Sequence, residues 1–106
     1  MTTAHLDPEA LREAAATAVA ALKLLANEDR LLLLCALSQQ EFCVSELEER
    51  LGIRQPTLSQ QLGVLRNEEV VTVRKSGKHV YYRIADPHLV TLLHTLYALY
   101  CPKDPS

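Results

Sequence analysis

A mainly α-helical protein with one small β-hairpin is what this sequence predicts, and three observations carry that expectation. Twenty leucines and twelve alanines stand among 106 residues, and both residue types are strong helix formers. Aromatic residues make up only 5 % of the chain. The strand-prone residues collect in two runs, Val70 to Lys75 and His79 to Ile84, separated by the turn signal Ser76-Gly77. At this length a single domain is expected. A hydrophobic fraction of 48 % against 23 % charged is ordinary globular composition and excludes disorder. A lone chain so short buries only about 60–70 % of its unfolded surface, so a partner subunit would help it.

The first helix begins at Asp7-Pro8-Glu9, an Asp cap followed by Pro at the first helical position and an acid. Leu11, Ala15, Ala18, Leu22 and Leu25 then recur at spacings of 4, 3, 4 and 3, a coiled-coil-like seam. Asn27 is the expected cap of a second helix, with Glu28 and Asp29 at its positive end. Leu31 to Leu37 make this helix apolar nearly all round, which places it in the core. Ser38 to Phe42 reads as a polar connection. Ser45-Glu46-Leu47-Glu48 has the form of a capping box, opening a third helix that Gly52 stops after Leu51. Gln55-Pro56 opens a fourth helix with Leu58, Leu62 and Leu65 on one side. The two strands follow, and Asp86-Pro87 caps a last helix through about Tyr100 that is apolar on more than one side.

Helix, helix, helix-turn-helix, hairpin and helix in this order describe a winged helix-turn-helix in one domain. The helix-turn-helix spans about residues 45–68, the wing about 70–84, and the outer helices about 8–26 and 87–101. Opposite its leucines the fourth helix presents Pro56, Thr57, Gln60, Gly63 and Val64, with Gln55 and Ser59 flanking. Short and amide side chains suit hydrogen bonding to base edges, and the helix N-terminus favours a phosphate. Charge is segregated in the same way. Residues 50–83 hold seven basic residues against two acidic ones, a local charge of +5, whereas the remainder holds four against eleven, or −7. The net charge of −2 therefore conceals a basic segment on an acidic body. Arg54, Arg66, Gln61 and the wing residues Lys75, Lys78 and His79 complete the candidate DNA contacts, phosphate contacts serving to position and base contacts to specify. The competing interpretations are a solvated basic face on a simple packing unit, or a winged-helix adaptor that binds only protein.

Three segments resemble the ArsR/SmtB family of bacterial winged-helix repressors. Leu24-Leu25-Ala26-Asn27-Glu28-Asp29-Arg30-Leu31 is similar to that family's entry to the second helix. Gln55-Pro56-Thr57-Leu58-Ser59-Gln60-Gln61-Leu62 resembles its recognition helix, with Gln61 where His is common. Lys75-Ser76-Gly77-Lys78-His79-Val80-Tyr81-Tyr82 resembles its wing. The likeness extends over about residues 15 to 101. It implies a homodimer built from the first and last helices that binds two-fold symmetric operator DNA, with half-sites roughly 34–36 Å apart, and that an effector releases.

The family's sensing sites can be tested against these residues. Its third-helix soft-metal site needs Cys-Val-Cys, whereas Cys43-Val44-Ser45 supplies one thiol. Its last-helix zinc site needs an Asp, a His two residues on and a second His eleven further along. Asp86 and His88 are present, but Leu99 stands at the last place, so no metal is expected there. Cys35 and Cys101 resemble the two-thiol subgroup of SqrR, BigR and HlyU type, which implies sensing of reactive sulfur species or oxidants through a disulfide or polysulfide bridge. Cys43 is then a candidate third thiol, and an As(III) or other thiophilic-metal sensor is the alternative. Each cysteine also has the simpler interpretation of a small buried hydrophobe. His94 is expected at an interface, and His5 in an N-terminal tail.

No Cys-x-x-Cys motif, Gly-rich cofactor loop or nucleophile with a positioned base is present, so neither enzymatic function nor a cofactor is expected. The longest apolar run is seven residues, Leu31 to Leu37, against roughly 20 for a bilayer span. With no secretory signal read at the N-terminus and an odd number of cysteines, a cytoplasmic protein with resting free thiols is expected.

Overall fold

Asp7 opens the first helix by accepting the Glu9 N–H at 3.0 Å in the computed structural model, which describes residues 7–101. His5 lies outside the described residues. Helix α1 (Pro8–Leu25) runs for 18 residues with Pro8 in its first turn. Asn27 caps α2 (Glu28–Gln39), its side-chain oxygen accepting the Arg30 N–H at 3.1 Å. A short strand β1 (Phe42–Cys43) leads into α3 (Val44–Leu51), followed by α4 (Thr57–Asn67), β2 (Val71–Ser76), β3 (His79–Ile84) and α5 (Pro87–Tyr100). Asp86 caps α5 through the His88 N–H at 2.9 Å.

The core is mostly leucine, joined by Phe42, Cys43, Ile53, Val71 and Tyr82. Leu33 and Leu34 of α2, Leu47 of α3, Leu58 and Leu65 of α4 and Leu93 of α5 are fully buried, so four helices meet where the spacing of leucines brings them together. Burying each such side chain contributes about 1.5–3 kcal/mol relative to exposure. Helix α2 sits in the core as expected, although Leu32 remains exposed. Helix α1 behaves differently. Of the seam Leu11, Ala15, Ala18, Leu22 and Leu25, only Leu25 is buried within the chain.

The strand region is larger than the predicted hairpin. The sheet has three antiparallel strands in the order β1-β3-β2, because Phe42 pairs with Tyr82 and Cys43 with Tyr81. The stretch read as a polar connection is therefore the end of α2 (Ser38 and Gln39) plus a strand whose Phe42 is buried. This pairing also moves the start of α3. The helix begins at Val44 with Cys43 at the cap, and the Glu46 carboxylate accepts the Cys43 N–H at 3.0 Å. The Ser45–Glu48 box is thus out of frame by two residues. Likewise Pro56 caps α4 rather than forming its first turn.

Helix α4 ends in a Schellman arrangement. The Val70 N–H donates to Leu65 O at 3.1 Å and the Glu69 N–H to Arg66 O at 3.0 Å. This geometry needs a left-handed residue, a place usually taken by glycine, yet Glu69 occupies it with φ of 59°. A left-handed backbone costs a non-glycine residue about 1–2 kcal/mol, offset by the greater unfolded-chain entropy of glycine, about 0.4–1 kcal/mol. Glu69→Gly is therefore expected to raise Tm by about 2–8 °C in thermal melts at fixed protein concentration. An unchanged or lower Tm would show that the strain of the positive φ does not exceed the entropy cost of glycine.

Candidate nucleic-acid interface and thiol pair

The turn between α3 and α4 is built from local rules. Gly52 takes φ of 69° and donates its N–H to Glu48 O at 2.9 Å, closing α3, and buried Ile53 anchors the connection. Gln55 then folds over the first turn of α4, its Oε1 accepting from the Ser59 N–H at 3.0 Å and the Ser59 hydroxyl at 2.6 Å. Leu58, Leu62 and Leu65 lock the inner side of α4. Gln60, Gly63, Val64 and Asn67 are exposed, and their spacing puts them on one outer face.

The candidate contact residues separate into three groups. Gln60, Arg54 and Arg66 are exposed, and Thr57 beside them is half-buried. Gln55 and Ser59 are exposed but bonded to each other. Gln61 is half-buried and accepts the Arg30 Nη1–H at 3.2 Å, so its amide oxygen is held by the protein's own α2. Sequence reasoning missed this link, since nothing in the spacing of Arg30 and Gln61, 31 residues apart, connects them.

In the wing, Gly77 turns the chain with φ of 61° and Ser76 pairs with His79. Lys75, Lys78 and His79 are all exposed there. Arg74 is not part of the free cationic surface. It forms an ion pair with Glu41 and lies 4.8 Å from the centre of the Tyr81 ring. The Arg74 guanidinium holds the Glu41 carboxyl below its ordinary range, chiefly through their hydrogen bond. Arg50 stacks over Phe42 at 5.1 Å and Arg83 reaches the Thr72 hydroxyl at 3.4 Å. Among the described residues Arg54, Arg66, Lys75 and Lys78 are in no side-chain ion pair. Glu41, outside the segment counted as +5, neutralises one of its charges.

Cys35 and Cys101 face one groove. It has a volume of about 430 Å³ and lies between α2 and the end of α5, lined by Leu31, Leu32, Ala36 and Tyr97 as well as the two thiols. Cys101 caps α5, donating its N–H to Tyr97 O at 3.0 Å, and is exposed, whereas Cys35 is half-buried. Both are unbridged. A second tie joins the same helices: His94 Nε2 of α5 lies 3.2 Å from Ser38 O, while the Ser38 hydroxyl donates to Cys35 O at 2.7 Å. Cys43 is not in this groove. It is buried on β1 with its Sγ 3.3 Å from the Ser45 hydroxyl. Among the described residues no three His, Cys, Asp or Glu side chains gather as a metal site. Asp86 serves as a helix cap beside exposed His88.

Burial pushes the Cys35 thiol above its ordinary pKa, and the neighbouring Cys101 pushes it further. Because the thiolate is the nucleophile, a raised pKa means a smaller thiolate fraction at neutral pH. In timed iodoacetamide labelling near pH 7, Cys101 is expected to be alkylated first. The Cys35 rate is expected to keep climbing at higher pH than that of an ordinary thiol. Equal rates and parallel pH profiles by peptide mass spectrometry would refute this ordering.

The family described as "Bacterial regulatory protein, arsR family" matches residues 27–73, from the cap of α2 through α4 and into β2. A biofilm growth-associated repressor of Agrobacterium fabrum is 50 % identical over 95 residues, covering 89 % of this chain and 81 % of that protein. Among solved structures, the transcriptional repressor BigR from Xylella fastidiosa superposes with a TM-score of 0.83 at 40 % identity, over 92 % of this chain and 100 % of that one. The transcriptional regulator HlyU from Vibrio vulnificus gives 0.85 at 38 % identity, over 91 % and 100 %.

Proposed function

The chain belongs to the ArsR family of bacterial regulatory proteins, and from that premise we propose that it is a dimeric operator-binding repressor whose DNA is released by oxidation of Cys35 and Cys101. Its wing and the outer face of α4 meet the duplex. Lys75, Lys78, Arg54 and Arg66 are the cations for phosphates, and Gln60 and Thr57 the groups for base edges. Helices α1 and α5 join two copies. The action is placed in the cytoplasm, where thiols rest reduced, and no described helix is long and apolar enough to cross a membrane.

The observation that carries the sensing role is that the two thiols share one groove while Cys43 lies apart. Exposed Cys101 is the thiol an effector reaches first. Attack of its thiolate on hydrogen peroxide breaks the O–O bond, giving a sulfenic acid and hydroxide, which takes up a proton to leave as water. Cys35 thiolate then displaces hydroxide, which takes up a proton to leave as a second water as the disulfide forms. An organic polysulfide instead exchanges twice with the pair, leaves its inner sulfur atoms between the two cysteines and departs as two thiols. A direct disulfide needs Cα atoms about 4.4–6.8 Å apart, and inserted sulfur bridges a wider gap.

The test begins with duplexes that the reduced protein selects from a random-sequence library. Affinity for them is measured before and after treatment with polysulfide, peroxide or arsenite, with the mass of each product. Selected DNA bound with steep salt dependence, and released by polysulfide or peroxide with a matching Cys35–Cys101 product, is the expected result. Release by arsenite alone would transfer the assignment to thiophilic metals. Selection of no sequence would make the fold a protein-binding adaptor.

A further inference from the structure

Arg30 does three things with one side chain. Its Nε donates to Leu24 O at 2.9 Å and its Nη2 to Lys23 O at 3.1 Å, both at the C-terminal end of α1. Its Nη1 donates to Gln61 Oε1 of α4 at 3.2 Å. Its own backbone N–H is bonded to the Asn27 cap, which fixes the point on α2 from which the guanidinium extends. The two carbonyls belong to the last turn of α1, where backbone donors run short and partial negative charge collects; Lys23 O also accepts the Ala26 N–H at 3.3 Å. Capping α1 would use only those two bonds. The third goes to a helix in a different part of the chain.

We infer that Arg30 is the positioning residue of the DNA-reading helix, holding α4 at a fixed place relative to α1 through the Gln61 amide. The inference rests on the DNA-reading role given to α4 above. In a two-fold dimer the two reading helices must enter successive major grooves together. Their spacing depends on how each is held to the helices that join the subunits. Arginine suits this place because its donors lie in one rigid planar fork, whereas lysine offers a single flexible ammonium. The bond also sets the orientation of Gln61: with Oε1 turned to Arg30, the NH₂ is the part of the amide that remains unengaged. Gln61 then acts on DNA through its placement of α4.

The experiment compares Arg30→Lys, Gln61→Met and the double variant, each reduced, by fluorescence anisotropy on the duplex selected by the wild type and on a random duplex. Either single substitution is expected to weaken binding to the selected duplex about tenfold or more, the order expected for loss of one well-placed contact. Random-duplex affinity and the slope of log affinity against log salt stay at wild-type values, because no phosphate contact is lost. The double variant is expected to be no more than about twofold worse than Gln61→Met alone, since both changes remove one bond. Multiplicative losses would overturn the inference, as would an Arg30→Lys variant with wild-type specificity. If Arg30→Lys lowers the melting temperature by loosening α1, Gln61→Met still decides the matter, because it leaves the α1 carbonyls bonded. A Gln61→Met variant with full specific affinity would refute it. Failure of the DNA-reading role itself would appear in the wild type, as the absence of any selected duplex.

Discussion

Leu22→Glu is expected to yield a folded monomer that binds its selected duplex two to four orders of magnitude more weakly than the wild type. Leu22 is 55 % exposed, so within one chain the substitution removes little packing and helical circular dichroism is retained. Across a dimer the same residue belongs to an apolar stripe with Leu11 and Val19 of α1, accompanied by Tyr97, Leu99 and Tyr100 of α5. Placing an unpaired carboxylate there forces it out of water with no partner, a penalty of several kcal/mol. The radius of gyration supports a role for α1 beyond this chain: 16.1 Å, against about 13 Å for a compact domain of about 100 residues. Once the dimer is lost, the second half-site no longer binds at high effective concentration, and the avidity so forfeited is on the order of 10²–10⁴. Sedimentation equilibrium and anisotropy titrations on the same samples check both halves. A Leu22→Glu protein that stays dimeric at micromolar concentration would remove α1 from the interface.

The same helix shows why the sequence conveyed the fold so fully and the site only in part. The seam of α1 and the leucine side of α4 follow from one-dimensional periodicity, and the Asp7, Asn27 and Asp86 caps from local chemistry within three residues. Strand β1 has neither signal. Two residues have no period, and Phe42 becomes a strand only because Tyr82, 40 positions later, pairs with it. The cap of α3 moved for the same reason. At the site, the exposed face of α4 was legible because it is the complement of a leucine stripe. Side-chain bonds between distant segments were not: Gln61 with Arg30, Arg74 with Glu41 and His94 with Ser38 join residues whose types fit surface roles equally well. The pairing of Cys35 with Cys101 in one groove had no support in spacing and came from resemblance alone.

Oxidation of the wild type is expected to lower affinity for the selected duplex by about 5–150-fold, the ordinary range of coupling between two sites. Cys35→Ser and Cys101→Ser are each expected to bind as the reduced wild type does and to ignore the oxidant. Both substitutions are nearly isosteric, and Cys101 is exposed while Cys35 is half-buried, so neither opens a core cavity. The route for the change is short. A bridge joins α2 to the end of α5, and α5 also belongs to the proposed dimer face, so a shift between these helices alters the spacing of the two α4 helices. Linkage then demands a reciprocal effect that does not depend on the route. If the disulfide weakens DNA binding by a given factor, bound DNA must make the disulfide harder to form by the same factor. For a two-electron couple a tenfold change is about 30 mV, so saturating duplex should raise the midpoint potential by about 20–65 mV in a glutathione redox titration. The two measurements share no assumption about structure and must agree. A loss of DNA affinity on oxidation without the matching shift in potential would mean that release follows from some other modification than the Cys35–Cys101 disulfide.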